Sequence, residues 1–119
     1  MKYMLLIYAE EKVLAEVDRE KCYAESTQLC HDLQKRGQFV SASPLQPVTT
    51  ATCVRLRASQ PMITDGPFAE TREQLGGYFM VDAQDLNEAI KIASRIPAAR
   101  WGTVEVRPVV ELAGLPERK

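Results

Sequence analysis

The chain has 119 residues, a formal net charge of −1 and an ordinary composition, with 45% hydrophobic and 26% charged residues. A chain of this length forms one domain and can bury a core without metals or disulfides. The near-neutral charge argues against nucleic-acid binding, which needs a basic surface, and no apolar run approaches the roughly 20 residues that span a bilayer. We therefore expect a cytoplasmic protein that binds neither nucleic acid nor membrane, with one domain over residues 1–112 and a polar tail over 113–119.

The first third of the chain predicts a strand, a long helix and a second strand. Residues 2–9 are apolar on both faces, which is typical of a strand covered on both sides. Residues 18–36 carry a single apolar stripe at helical spacing, with Asp18 as the N-cap and Gly37 just beyond the end. This stripe consists of Cys22, Ser26, Leu29, Cys30 and Leu33. Residues 38–42 then favour a short strand.

The rest of the chain predicts a hairpin and a second set of strand, helix and strand. Residues 51–57 alternate between the two faces of a strand, and residues 61–64 favour a returning strand. Residues 76–82 are again apolar on both faces, and residues 103–111 alternate as a last strand. Between them Asp85 begins a helix with Glu88 three residues on. The predicted buried stripe of that helix is Leu86, Ala89, Ile90, Ala93 and Ile96.

This order of elements predicts an α+β fold of the ferredoxin-like, split βαβ type with an inserted hairpin. Both helices would cover one face of a four-stranded sheet and leave the other face bare. Apolar residues on both faces of the central strands therefore predict that two copies pack sheet to sheet as a homodimer.

The segment 64–79 is the most distinctive of the chain, because turn-forming residues and carboxylates lie close together in it. Asp65-Gly66-Pro67 predicts a tight reversal, since glycine accepts unusual backbone angles and proline fixes its own φ. Asp65 and Glu70 are candidate catalytic residues, because paired carboxylates in a dry cleft can supply a general base. The structural alternative is that Asp65 accepts bonds from backbone N–H groups of its own turn and that Glu70 pairs locally with Arg72.

Candidate ligand-binding residues are Tyr8, Arg55, Phe68 and Tyr78. Aromatic side chains can line an apolar pocket, and Arg55 or Arg100 can hold an anionic group of a small-molecule ligand. The alternative is that the aromatic side chains belong to the core. We expect no metal site and no cofactor, since no ligand spacing and no phosphate-binding loop is present.

The run Thr-Asp-Gly-Pro-Phe-Ala-Glu-Thr-Arg-Glu-Gln-Leu-Gly-Gly-Tyr at 64–78 resembles the signature of the YCII-related, DGPF-type proteins. The opening Met-Lys-Tyr-Met-Leu-Leu-Ile-Tyr resembles the first strand of that family, and residues 96–99 and 104–108 resemble its closing segments. The resemblance implies a dimeric α+β barrel. Its members are mostly uncharacterised, and some are encoded beside extracytoplasmic-function sigma factors, which implies a sigma factor as a possible partner.

Other members of the wider YCII group carry a histidine–aspartate pair proposed as catalytic. In this sequence the place of that histidine falls near Ser26, and the only histidine is His31, five residues later. The resemblance therefore does not carry this pair over. Two functions stay open: a small-molecule binder or cofactor-free enzyme with a pocket near the Asp65 turn, and a non-catalytic regulatory module.

Overall fold

The structure, a computed structural model, describes residues 1–116. In chain order its elements are strand β1 (Lys2–Ala9), helices α1 (Glu11–Glu16) and α2 (Arg19–Lys35), strand β2 (Phe39–Pro44), a 3₁₀ turn (Val48–Thr50), strands β3 (Thr52–Arg57), β4 (Gln60–Asp65) and β5 (Gln74–Asp82), helix α3 (Leu86–Ala93), a second 3₁₀ turn (Pro97–Arg100) and strand β6 (Thr103–Pro108).

Four strands form one antiparallel sheet in the order β2-β5-β1-β6, and β3 and β4 form a separate two-stranded sheet. The two central strands, β1 and β5, are the first and the third of the four along the chain, as a split βαβ arrangement requires. The predicted ferredoxin-like α+β fold with an inserted hairpin is confirmed. No helix within residues 1–116 combines the length and the apolar character that a membrane crossing requires.

The core lies between one face of the sheet and the helices α2 and α3. Leu5 of β1 and Val81 of β5 are fully buried there, and Leu33 of α2 and Ala89 of α3 pack into the same cluster. Both helices begin at the predicted caps. The Asp18 carboxylate accepts a hydrogen bond from the Lys21 amide at 3.1 Å, and the Asp85 carboxylate accepts one from the Glu88 amide at 2.9 Å.

Helix α3 differs from its prediction in which face it buries. Ile92 is 5% exposed and Ala93 6%, whereas Leu86 is 51% and Ile90 46% exposed. The buried stripe is therefore Ala89, Ile92, Ala93 and Ile96, and the prediction that Leu86 and Ile90 are buried is wrong. The two stripes overlap because Ala89, Ala93 and Ile96 belong to both, so periodicity alone could not choose the rotation of the helix.

One helix and several strand ends also differ from the prediction. Helix α1 was not predicted, since its six residues bury no side chain fully and give a weak periodic signal. Strand β2 continues to Pro44, beyond the predicted end at residue 42. Strand β6 ends at Pro108 rather than at residue 111, although the Val109 amide still donates to the Lys2 carbonyl oxygen at 2.9 Å.

The face of the sheet opposite the helices is apolar at its centre and polar at its edges. Leu6 pairs with Tyr78, and Met4 pairs with Met80, so these four side chains share this open face, and all four are half-exposed. The neighbouring edge strands add Ser41, Ser43, Glu105 and Arg107. The helices α2 and α3 pack on the other face of the sheet and do not cover this one.

The hairpin of β3 and β4 carries an exposed apolar face. Val54 lies opposite Ile63, and Leu56 lies opposite Pro61. Val54, Leu56 and Ile63 are each about two-thirds exposed, at 64%, 66% and 65%. Beyond β6, the described residues up to Pro116 form no helix or strand, and residues 117–119 of the predicted tail lie outside the described residues.

Candidate functional site

A cavity of about 360 Å³ lies between α2 and the helix-facing side of the sheet. We call it the inner cavity; Cys22, Ser26 and Cys30 form its helix wall, and Ile7, Gly77 and Phe79 form its sheet wall. Its volume is within the range of small-molecule pockets, which is roughly 300–1,000 Å³.

The inner cavity exists because short side chains face each other across it. The α2 stripe begins with Cys22, Ser26 and Cys30, which fill little space, and continues with Leu33, which is fully buried and closes the core. On the opposite wall the sheet contributes Gly76, Gly77 and Ala42. The predicted apolar stripe of α2 is therefore confirmed. Its short side chains line the cavity, whereas its leucines fill the core.

The second 3₁₀ turn forms one end of the inner cavity. Pro97, Ala98 and Trp101 line that end. Gly102, the next residue, packs against β1 so closely that an added Cβ would overlap the Tyr8 carbonyl oxygen and lie 3.2 Å from the Ala98 carbonyl oxygen. A glycine is needed at residue 102 to hold this end of the cavity against the strand.

A second cavity of about 380 Å³, the outer cavity, adjoins the inner one. Both are lined by Leu14, Tyr23, Pro44 and Gly76, and we call the two adjacent cavities together the cleft. The outer cavity adds polar residues, namely Glu11, Arg19, Gln46 and Gln74.

Hydrogen bonds hold part of the rim of the outer cavity in place. The Gln74 side-chain oxygen accepts a hydrogen bond from the Glu11 amide at 3.2 Å. The Glu11 carboxylate in turn accepts one from the Val48 amide at 3.2 Å. These bonds join α1, the first 3₁₀ turn and the start of β5 around the cleft.

The inner cavity is electrically neutral. Within the described chain, no Asp, Glu, Lys, Arg or His side chain lines it. Burial raises the pKa of the Cys30 thiol, and a backbone hydrogen bond offsets part of this effect. The Cys30 thiol is therefore mostly protonated at neutral pH, packs as an apolar group and reacts with alkylating agents only through its minor thiolate fraction.

The predicted catalytic carboxylates lie apart from this cleft. Asp65 is the last residue of β4, Glu70 follows in the loop before β5, and both are exposed. Neither lines the inner cavity, the outer cavity or a third, open depression of about 580 Å³ at the opposite end of the sheet. Their catalytic role stays a prediction.

The structure separates the predicted ligand-binding residues into three places. The Arg55 guanidinium lies 4.7 Å from the centre of the Phe68 ring, and Phe68 is 74% exposed. Tyr8 is half-buried at the end of β1. Tyr78 lines the inner cavity. Arg55 and Phe68 thus meet each other on the hairpin side. Tyr78 is the only one of the four among the residues that line the cleft, although the strand register places its side chain on the open face.

The second half of the 64–79 segment fixes the loop to the main sheet. The Arg72 guanidinium donates to the Glu10 carboxylate at 2.6 Å, and this pairing raises the pKa of Arg72. The Thr103 hydroxyl donates to the Glu73 carboxylate at 2.9 Å. The alternative interpretation of Glu70 was a local pair with Arg72, and the observed partner of Arg72 is Glu10.

Sequence reasoning missed most of the residues that line the cleft. Cys22, Ser26 and Cys30 were interpreted as a buried stripe, and Leu14 lies on the helix that was not predicted. A run of short side chains on the buried face of a long helix was the available signal. Ser26 lines the inner cavity, whereas His31 is exposed and lines none of the three cavities.

Comparisons with known proteins agree with the resemblance in the sequence. A family model of the YCII-related domain matches residues 1–113. An uncharacterized protein of Rhizobium meliloti (strain 1021) is 35% identical over 118 residues, and the match covers 92% of each chain. The chain therefore belongs to the YCII-related domain family.

Proposed function

We propose that this protein is a homodimeric small-molecule-binding protein whose ligand occupies the inner cavity. The observation that carries the proposal is an uncharged space of about 360 Å³ walled by short side chains, at a place where a domain of this size otherwise fills its core. The cytoplasm stays the predicted location.

The inner cavity is lined by side chains whose fluorescence or reactivity changes when a ligand binds. Trp101 is the single tryptophan of the chain and lines the cavity. Cys22 and Cys30 line it as well, whereas the third cysteine, Cys53, lies on the hairpin with its thiol 3.3 Å from the Gly66 carbonyl oxygen. A ligand in the cavity protects Cys22 and Cys30 from alkylation and leaves Cys53 unprotected.

The test is a thermal-shift screen of the purified protein against a metabolite library. Each hit is then examined for Trp101 fluorescence and for protection of the cysteines from iodoacetamide, measured by peptide mass spectrometry. We expect hits that protect Cys22 and Cys30 and that lose their thermal shift in Ser26→Phe, because the phenyl ring fills the cavity.

The matched control is Gln34→Phe, which adds the same ring at an exposed position of the same helix outside the three cavities. Hits that stabilise Ser26→Phe as strongly as Gln34→Phe bind elsewhere and contradict the proposal. A screen without any hit that protects the two cysteines contradicts it as well.

The homodimer is supported by the open face of the sheet. Half-exposed Met4, Leu6, Tyr78 and Met80 form its centre, and a second copy packed on them would close an α+β barrel. Sedimentation velocity should find dimers at micromolar concentration, and Met80→Lys should sediment as a folded monomer. Leu56→Lys, which changes the exposed face of the hairpin instead, should remain dimeric. Monomeric wild type, or dimeric Met80→Lys, would contradict this interface.

A regulatory interaction module is the second candidate function, and the exposed apolar face of the hairpin favours it. Val54, Leu56 and Ile63 are exposed there, and a two-stranded hairpin with no covered face has little stability of its own. If this face binds an extracytoplasmic-function sigma factor, a sigma factor co-expressed from the same genome should co-purify with the wild type. Leu56→Lys should abolish co-purification, and Met80→Lys should retain it; the reverse pattern would exclude the hairpin.

A further inference from the structure

The adjacent cavities differ in chemistry along their length. The inner cavity is lined by apolar and uncharged groups, whereas the outer cavity has Glu11, Arg19 and two glutamines on its rim. They meet at Leu14 and Tyr23. A molecule that fills both must therefore be apolar at one end and polar at the other.

Arg19 is the cation at the polar end. It is the first residue of α2 and is exposed. Among residues 1–116, the ion pairs found do not include Arg19, although Arg72, Arg95 and Arg100 each bind a carboxylate at 2.6 Å. The backbone amides of the first helical turn also place partial positive charge at this end of α2.

Glu11 is the acidic residue on the same rim, and one oxygen of its carboxylate is hydrogen-bonded to the backbone. Its Oε2 atom accepts a hydrogen bond from the Val48 amide. Glu11 keeps its negative charge, because a backbone amide does not neutralise it, and Glu10, the neighbouring acid, is paired with Arg72. The Arg19 guanidinium has no carboxylate partner among the described residues, so it is the rim group with a charge left to pair with a ligand.

We infer that the ligand class of this site is a small amphiphilic carboxylic acid, with its apolar body in the inner cavity and its carboxylate on Arg19. This inference rests on the proposed binding function and adds the chemistry of the ligand. The guanidinium suits a carboxylate because two parallel N–H groups can donate to its two oxygens. The inner cavity suits the body because every group that lines it is neutral.

The experiment uses three probes with the same tail: octanoate, 1-octanol and octylamine. Affinity is measured by Trp101 fluorescence and by protection of Cys22 and Cys30 from alkylation. On the wild type, octanoate should bind about five-fold more tightly than octanol, which is the scale of one partly exposed charge pair. Octylamine should bind more weakly than both.

Arg19→Gln should remove the preference for octanoate over octanol. Arg36→Gln is the matched control, because Arg36 is an exposed arginine at the other end of α2 that lines the open depression; it should keep the preference. Octanoate binding should also be lost in Ser26→Phe, which shows that the acid uses the cleft.

The possible failures are distinguishable. If octylamine binds as tightly as octanoate, if Arg19→Gln keeps the preference, or if octanoate still binds Ser26→Phe, the assignment of a carboxylic acid is overturned. If octanol still protects Cys22 and Cys30 in these cases, the binding function itself survives. If none of the three probes protects the two cysteines, both the ligand class and its site in the inner cavity are overturned.

Discussion

Replacement of Gly102 by alanine should destabilise the protein, because the contact that the glycine permits closes one end of the cleft. An added Cβ would overlap the Tyr8 carbonyl oxygen and lie 3.1 Å from the Ala9 Cβ and 3.2 Å from the Ala98 carbonyl oxygen. Two of these three atoms are backbone oxygens, so relief of the overlap requires β1 and the second 3₁₀ turn to move apart.

The magnitude follows from two opposing contributions. Overpacking against rigid atoms costs about 3 kcal/mol. Gly102 lies outside the left-handed region, so alanine also reduces the entropy of the unfolded chain and returns about 0.7 kcal/mol. The free energy of unfolding should therefore fall by about 2 kcal/mol, which for a domain of this size lowers Tm by about 8 °C.

The matched control is Gly76→Ala, measured beside Gly102→Ala by urea and thermal unfolding. An added Cβ at Gly76 meets no atom within 4 Å, and its φ is also outside the left-handed region. Its free energy of unfolding should stay within about 0.5 kcal/mol of the wild type or rise slightly. Equal stability of the two variants would refute the claim that close packing at Gly102 holds the end of the cleft.

Three further predictions concern the other residues with a stated role. Asp65→Asn should change the free energy of unfolding by less than about 0.5 kcal/mol, because Asp65 is exposed. A hit in the inner cavity should bind this variant as it binds the wild type, because Asp65 lines none of the three cavities; weaker binding or turnover would support the predicted catalytic role, and a large loss of stability with unchanged binding would make Asp65 a turn residue only. Because burial raises the pKa of Cys30, its contribution to stability should be complete below the unfolded thiol pKa of about 8.5 and should be lost as the pH rises through the folded pKa. Denaturation at a series of alkaline pH values should therefore show a smaller decline in Cys30→Ala than in the wild type, and equal declines would contradict this effect of burial. Ser59→Gly should slow hydrogen exchange of the hairpin amides and stabilise the hairpin by about 1 kcal/mol, because Ala58 and Ser59 have φ of 51° and 64°, which glycine adopts without strain; faster exchange would contradict it.

The fold could be predicted because its signals are local and agree with one another. Asp18 and Gly37 mark the two ends of α2, and apolar residues on both faces mark the central strands β1 and β5. The order of strands and helices could therefore be predicted from the sequence. The rotation of α3 could not be predicted, because two overlapping stripes satisfy the same periodicity and tertiary packing selects Ile92 over Ile90.

The cleft could not be predicted, because a cavity is a property of two facing surfaces. Cys22, Ser26 and Cys30 have the same spacing whether the opposite wall is filled or empty. Only the structure places them across from Gly77 and Ala42, where the facing side chains are short as well. The sequence instead predicted a site at Asp65 and Glu70, because charged residues at a turn can be identified from the local sequence alone.

The distinctive 64–79 segment and the cleft are nevertheless connected through the end of the segment. Gly77 approaches β2 so closely that an added Cβ would lie 3.1 Å from the Ser43 carbonyl oxygen and 3.2 Å from the Pro44 Cα. Because of this close packing, the end of β2 lies directly against β5, and Ser43, Pro44 and Gly77 lie in the same wall of the inner cavity. A side chain at residue 77 would push that wall away. The segment thus contributes to the proposed site through a glycine that lets two strands meet, and its carboxylates require a separate test.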